Sequence, residues 1–141
     1  MPGWRSYLVR SAVGGGGLLF YQRSPADPAE PIDGFWVRVT DHKLSACAEV
    51  CAGYAPSHPA ELFADMARQW SGWRGELVWE SLEGELALRC RHDRRGHIAI
   101  RVELQSGLMP DDWRVAATVA AEAGQLENLA HRAALFFGRA A

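Results

Sequence analysis

The chain has 141 residues, 48% of them hydrophobic and 23% charged, with a formal net charge of −2. This composition excludes an intrinsically disordered chain, and no run approaches the roughly 18 apolar residues of a membrane span. The near-neutral balance lacks the strongly basic footprint of a duplex-binding domain, so duplex nucleic acid is not an expected partner.

At the start of the sequence, Arg10 and the glycines at 14–17 interrupt any apolar run, so no secretory signal is expected. The three cysteines, Cys47, Cys51 and Cys90, form no Cys-x-x-Cys pair. Cys47 and Cys51 are four apart in a predicted strand, which separates their Cα atoms by about 13 Å, beyond the ~7 Å reach of a disulfide. Free thiols and a cytoplasmic location are the expectation.

Apolar residues at 4–10 (Trp4, Tyr7, Val9) and 18–22 (Leu18, Leu19, Phe20, Tyr21) predict two strands flanking the glycines. No Gly-Lys-Ser/Thr follows the glycines, so they read as a turn and not as a phosphate loop. After a proline-rich connection at 24–34, Phe35, Val37 and Val39 alternate with Trp36, Arg38 and Thr40, and Leu44, Ala46 and Ala48 alternate likewise. A hairpin around Asp41-His42, pairing 39 with 44, 37 with 46 and 35 with 48, puts both apolar sets on one face.

A helix is predicted at about 59–71, with Ser57 or His58 as cap and Leu62, Phe63, Met66, Ala67 and Trp70 as its buried stripe. The span 70–79, with three tryptophans and two glycines, reads as a crossing from helix into sheet. Next, Leu86, Leu88, Cys90 and His92 face Ile98, Ile100, Val102 and Leu104 across Asp93-Arg94-Arg95-Gly96, the chemistry of a type I turn closed by a left-handed glycine. The pairing is His92 with Ile98, Cys90 with Ile100, Leu88 with Val102 and Leu86 with Leu104. After a loop at 106–112 a last strand carries Trp113, Val115, Ala117, Val119 and Ala121 on one face, and a helix at about 125–137 has Leu126, Leu129, Ala130, Ala133, Phe136 and Phe137 as its stripe. The order β-β-β-β-α-β-β-β-α predicts one α+β domain, residues 1–141: an antiparallel sheet of about six to seven strands with both helices on one face. No internal repeat is legible.

From Trp70 onward the chain contains Trp70-Ser-Gly-Trp73, Ser81-Leu-Glu-Gly84 and Ala123-Gly-Gln-Leu-Glu127 in order. These landmarks resemble an uncharacterised family of small actinobacterial proteins, a domain of unknown function. The resemblance covers about half of the chain and implies no activity, cofactor or catalytic residue.

His92 and His97 flank Asp93, but their opposite parity puts them on opposite faces of the strand pair, so no metal site is expected and His97 should pair with Asp93. No nucleophile elbow or cofactor motif is present, and no cofactor is expected. Arg89 and Arg101 fall directly opposite each other, a destabilising pairing unless an anion or a carboxylate such as Glu103 intervenes. Trp36, beside Arg38, faces away from the apolar side of its strand, as an interface anchor does. These features lead to a non-catalytic module that binds a protein partner or a second copy of itself through an exposed face with Trp36, Arg38, Arg89, Arg91 and Arg101. An immunity protein that covers the active site of a toxin is one concrete form. The alternative is a small-ligand binder or hydrolase-like enzyme with Glu80, Glu83 or His97 in acid/base roles near the crossing at 75–84. Single-stranded nucleic acid on the Arg and Trp side chains is a third reading.

Overall fold

A computed structural model describes residues 5–52 and 58–138. Eight strands and two helices follow one another as β1 (Ser6–Arg10), β2 (Gly17–Ser24), β3 (Gly34–Asp41), β4 (Leu44–Cys51), α1 (Ala60–Arg68), β5 (Leu77–Glu80), β6 (Leu86–His92), β7 (His97–Gln105), β8 (Arg114–Glu122) and α2 (Leu126–Phe137). The α+β class and antiparallel pairing hold, but the single sheet is corrected: the strands form two four-stranded meanders, β1-β2-β3-β4 and β5-β6-β7-β8. The predicted order also lacked β5, whose four residues sit in the tryptophan-rich crossing and are too few to show a period. Each half runs through four strands and then a helix. Because α1 and the crossing separate β4 from β5, β5 pairs with β6 and starts a new sheet. The two sheets touch where the Ala12 N–H donates to the Ala120 carbonyl at 2.8 Å and the Ala120 N–H donates to Ser11 Oγ at 3.0 Å.

The β6–β7 register is the predicted one from Leu86↔Leu104 to His92↔Ile98. Its turn is held by Asp93, whose Oδ1 accepts from the N–H groups of Arg95 and His97. Those two donors hold the Asp93 carboxyl down at about 2. In β3–β4 the predicted faces are right but the register is two residues off: Asp41 pairs with Leu44 and Val37 with Ala48. The turn is the tighter His42-Lys43, with Lys43 at φ 57° and the His42 N–H donating to Asp41 Oδ1. A shift of two preserves which side chains face inward, so hydrophobic pattern alone does not distinguish the two pairings.

Two tryptophans placed in the core by sequence are exposed. Helix α1 ends at Arg68, short of the predicted 71, so the stripe through Met66 does not extend to Trp70, which is 64% exposed. Trp113 precedes β8, in the loop, and is 41% exposed. Trp4 and the candidate cap Ser57 lie outside the described residues.

The inner faces of both sheets and the helices share one continuous core. Its densest part is aromatic: Tyr7, Phe20 and Phe35 of the first sheet meet Phe63 of α1 and Phe136 and Phe137 of α2, with Phe20–Phe137 and Phe35–Phe137 edge-to-face at 5.1 and 5.2 Å. Each such buried ring contributes roughly 2–3 kcal/mol through apolar burial. The Tyr7 hydroxyl donates to the Leu129 carbonyl at 2.9 Å, so its polar end is satisfied within the core.

Arg23 breaks the alternation of β2. An irregularity between Tyr21 and Ser24, with Gln22 at φ 48°, turns the Arg23 side chain inward, where it is 6% exposed. Its guanidinium donates to five carbonyls: Phe136 (2.8 Å) and Phe137 (3.4 Å) at the end of α2, and Pro25 (2.7 Å), Asp27 (2.6 Å) and Glu30 (3.1 Å) of the following loop. Replacing Arg23 with Met strands these acceptors, and urea denaturation should show a loss of about 3 kcal/mol. Arg23→Lys should recover little of it, since one ammonium does not span five acceptors.

His58 is buried and stacked on Phe137 with ring centroids 5.6 Å apart, and its Nδ1 has no hydrogen-bond partner among the described residues. Burial holds its pKa below the ordinary 6.5, against the opposing field of Glu61. The unfolded chain therefore binds the proton more readily, and His58's contribution to stability is complete above about pH 6.5 and is lost as pH falls through that value toward the lower folded pKa. In His58→Phe, which keeps the stack, denaturation midpoints measured across this window should lose the part of the acid slope that His58 supplies.

Candidate functional site

The outer face of the second sheet carries the arginines singled out by sequence. Arg89 sits opposite Arg101 as predicted, and Glu103 separates them: Arg89 Nε meets Oε1 at 2.7 Å and Arg101 Nε meets Oε2 at 3.3 Å. Glu80 of β5 takes the other side of Arg89 at 3.0 Å, and Glu76 meets Arg91 at 3.3 Å. The result is a ladder of alternating sign across β5, β6 and β7. The Arg89 guanidinium holds the Glu103 carboxyl below its usual range.

Trp36 and Arg38 lie on the outer face of the first sheet, so the five residues do not form one surface. Across β2, β3 and β4, Tyr21, Trp36 and Glu49 make one row, and Leu19, Arg38 and Cys47 the next. The Trp36 ring lies 6.4 Å from that of Tyr21, over which the Arg38 guanidinium sits at 5.4 Å. The row on the other side of Trp36 is Ser24, Gly34 and Cys51, all small. Those small side chains leave the floor of a groove of about 860 Å³, closed on its far side by the β5–β6 turn with Glu83 and Glu85 and by the β7–β8 loop with Ser106, Gly107, Leu108 and Trp113.

Both walls are braced. Glu85, 8% exposed, accepts from Ser81 Oγ at 2.8 Å and from the Cys51 N–H of β4 at 3.1 Å. The loop is organised by Asp112, whose carboxylate accepts from Ser106 Oγ at 3.0 Å and from the Met109 N–H at 2.8 Å. A Cβ at Gly107 would overlap the Asp112 carboxylate, so a side chain there would displace it from its present position on both partners. Held this way, the loop turns Leu108 and Met109 outward, each 65% exposed, next to Trp113. Gln105 Nε2 donates to the Gly84 carbonyl at 2.9 Å and ties the loop to the β5–β6 turn.

The alternative acid/base residues do not converge. Glu80 lines a depression on the second sheet, Glu83 lines the groove, and His97 lines a third hollow, where its Nδ1 lies 2.7 Å from Asp93 Oδ2. His92 is committed as well: Nδ1 accepts from the Arg94 N–H, so Nε2 carries the proton toward the Trp70 carbonyl. Burial pushes the Cys90 thiol up to about 12, an inert core sulfur, while Cys47 and Cys51 are exposed on the groove side of β4. Among the described residues no three His, Cys, Asp or Glu side chains are placed to hold a metal ion, and no helix is long and apolar enough to cross a membrane.

Of the groove lining, the sequence reading singled out Trp36 and Glu83 as candidate site residues and did not single out Leu108, Trp113 or Glu85. The loop at 106–112 was legible from its polar residues, Ser106-Gly107 and Asp111-Asp112, and the structure places it between β7 and β8.

No curated protein and no solved structure matches the chain. A family model does match, over residues 9–140, and the chain belongs to that family, the family of unknown function DUF6228.

Proposed function

We propose that the protein is a non-catalytic module that binds a protein partner at the end of the molecule formed by the groove and the β7–β8 loop. The observation that carries this reading is the outward presentation of Leu108, Met109 and Trp113 by a loop braced through Asp112. Three large apolar side chains held in water by a built loop cost solvation free energy that an interface recovers, and tryptophan is the residue type most enriched at binding hot spots. The groove beside them, which Trp36 also lines, adds concave surface. An immunity-like role, in which the partner is a toxin whose active site becomes covered, is one form of this reading. The arginines of the second sheet drop out of the binding surface because carboxylates of the same face engage them. That engagement also weakens the single-stranded nucleic acid reading, and the dispersal of Glu80, Glu83 and His97 weakens the enzymatic one.

The paired variant Leu108→Asp/Trp113→Ala should fold and should lose at least tenfold in affinity for the partner, about 1.4 kcal/mol. Affinity capture from cells that express the protein, with the partner identified and titrated, checks this. Arg91→Gln on the second sheet should bind as the wild type does. Equal capture and equal oligomeric state for all three proteins overturn the reading.

A further inference from the structure

We infer that the free edge of β4 takes an extended, arginine- or lysine-bearing segment of the partner as a fifth strand of the first sheet. The inference rests on the docking reading above and names the mode and chemistry of the contact. The direction of the β4 backbone follows from two hydrogen bonds. The Ala52 N–H donates inward, to the Asp33 carbonyl beside β3, at 2.8 Å, whereas the Cys51 N–H donates outward, to Glu85. In a regular strand the amide and carbonyl of one residue point the same way and alternate along the chain. Ser45, Cys47 and Glu49 therefore turn their N–H and C=O groups away from β3, and no backbone partner pairs with them among the described residues.

Edge strands are normally shielded by proline, lysine, a bulge or shortness. β4 has eight residues, none of them Pro or Lys, in unbroken register with β3. The other edge of the same sheet is partly covered: just beyond β1 the Ala12 N–H donates to the Ala120 carbonyl of β8, and Arg132 Nη2 donates to the Leu8 carbonyl of β1 at 2.7 Å. The groove lies along the open edge, since its lining includes every residue from Cys47 to Cys51, and its volume is in the range that holds a specific ligand. Glu85 already places a carboxylate oxygen where the carbonyl of an added strand would accept from Cys51. Strand addition continues that pattern through Glu49 and Cys47.

Charge selects the occupant. Asp33, Glu49, Glu83 and Glu85 line the groove, whereas among the described residues no Arg, Lys or His lines it. Trp36 and Trp113 add aromatic faces to which a guanidinium or ammonium is attracted. A basic side chain is matched here and an acidic one repelled. A second copy of the chain would bring another Glu49 against these carboxylates, with no basic residue in its own β4.

The test uses two blocked synthetic peptides, Arg-Val-Arg-Val-Arg and Glu-Val-Glu-Val-Glu, and the amide exchange of the full chain followed by NMR. The arginine peptide should bind, and the glutamate peptide should bind at least about tenfold more weakly at low salt. The arginine peptide should slow exchange at Cys47 and Glu49 by about tenfold at nine-tenths occupancy, with no change at Ala46 and Ala48, whose amides already face β3. Cys47→Pro removes an outward N–H without removing a bond to β3, so it should fold and lose the peptide. N-methylation of the peptide's central arginine should have the same effect on the unaltered protein. Binding of neither peptide, binding without the alternating protection, or a Cys47→Pro-sensitive homodimer overturns the inference. If protection is absent while Leu108→Asp/Trp113→Ala still loses the partner, strand addition fails and the docking reading stands.

Discussion

The buried Arg23 guanidinium is the contact on which the first sheet and the second helix jointly depend. A lone charge in a protein interior is expensive unless its donors are filled. Here five carbonyl oxygens supply the compensation, two of them the unpaired acceptors at the end of α2, where a cation is also favoured by the helix dipole. Fixing the end of α2 fixes Phe136 and Phe137, and through them the aromatic packing on Phe20 and Phe35. The same guanidinium holds the loop carbonyls of Pro25, Asp27 and Glu30, which set where the chain re-enters at Asp33 and Gly34. Ser24, Asp33 and Gly34 are the near end of the groove, so a core interaction positions a surface site.

The two sheets treat their outer faces differently. On the second, every arginine of the hairpin strands has a carboxylate neighbour, and the like-charge pair Arg89 and Arg101 is separated by Glu103. Exposed ion pairs of this kind add little stability individually. Their effect is on specificity, because a face whose charges are matched internally has less to offer a partner. On the first sheet the corresponding positions hold Trp36, Arg38, Cys47, Glu49 and Cys51, and among the described residues no cation lines the groove beside its carboxylates.

What could be read from sequence follows the range of the forces involved. The β6–β7 hairpin was legible to the residue because a short turn with Asp93 and Gly96 and an alternating pattern agree locally. The β3–β4 register slipped by two because both pairings bury the same side chains, and only the Asp41 bond to the His42 N–H, together with the left-handed Lys43, selects the tighter turn. Division into two sheets is a tertiary matter: strand β5 is recognisable only once β6 is beside it. Arg23 was invisible for a related reason, since the irregularity at Gln22 inverts the parity on which the inward and outward assignment rests. At the candidate site Trp36 was visible through its parity, whereas Leu108, Trp113 and Glu85 take their roles from a loop and a turn brought beside β4 from the other sheet.

Glu85 shows how an edge can be both protected and specific. A buried carboxylate needs donors, and this one takes the Ser81 hydroxyl and a single backbone N–H of β4, at Cys51. That bond pins the β5–β6 turn against the first sheet and terminates the edge ladder at one end. Toward the middle of β4 no side chain among the described residues substitutes for a neighbouring strand, and the wall that begins at Glu85 continues as the β7–β8 loop. An edge enclosed in this way is shielded from broad sheet-to-sheet association yet leaves backbone groups within reach of a single extended chain. Walls restrict access by shape and the carboxylates by charge, so the main-chain bonds, which carry no sequence information themselves, become available only to a segment that satisfies both.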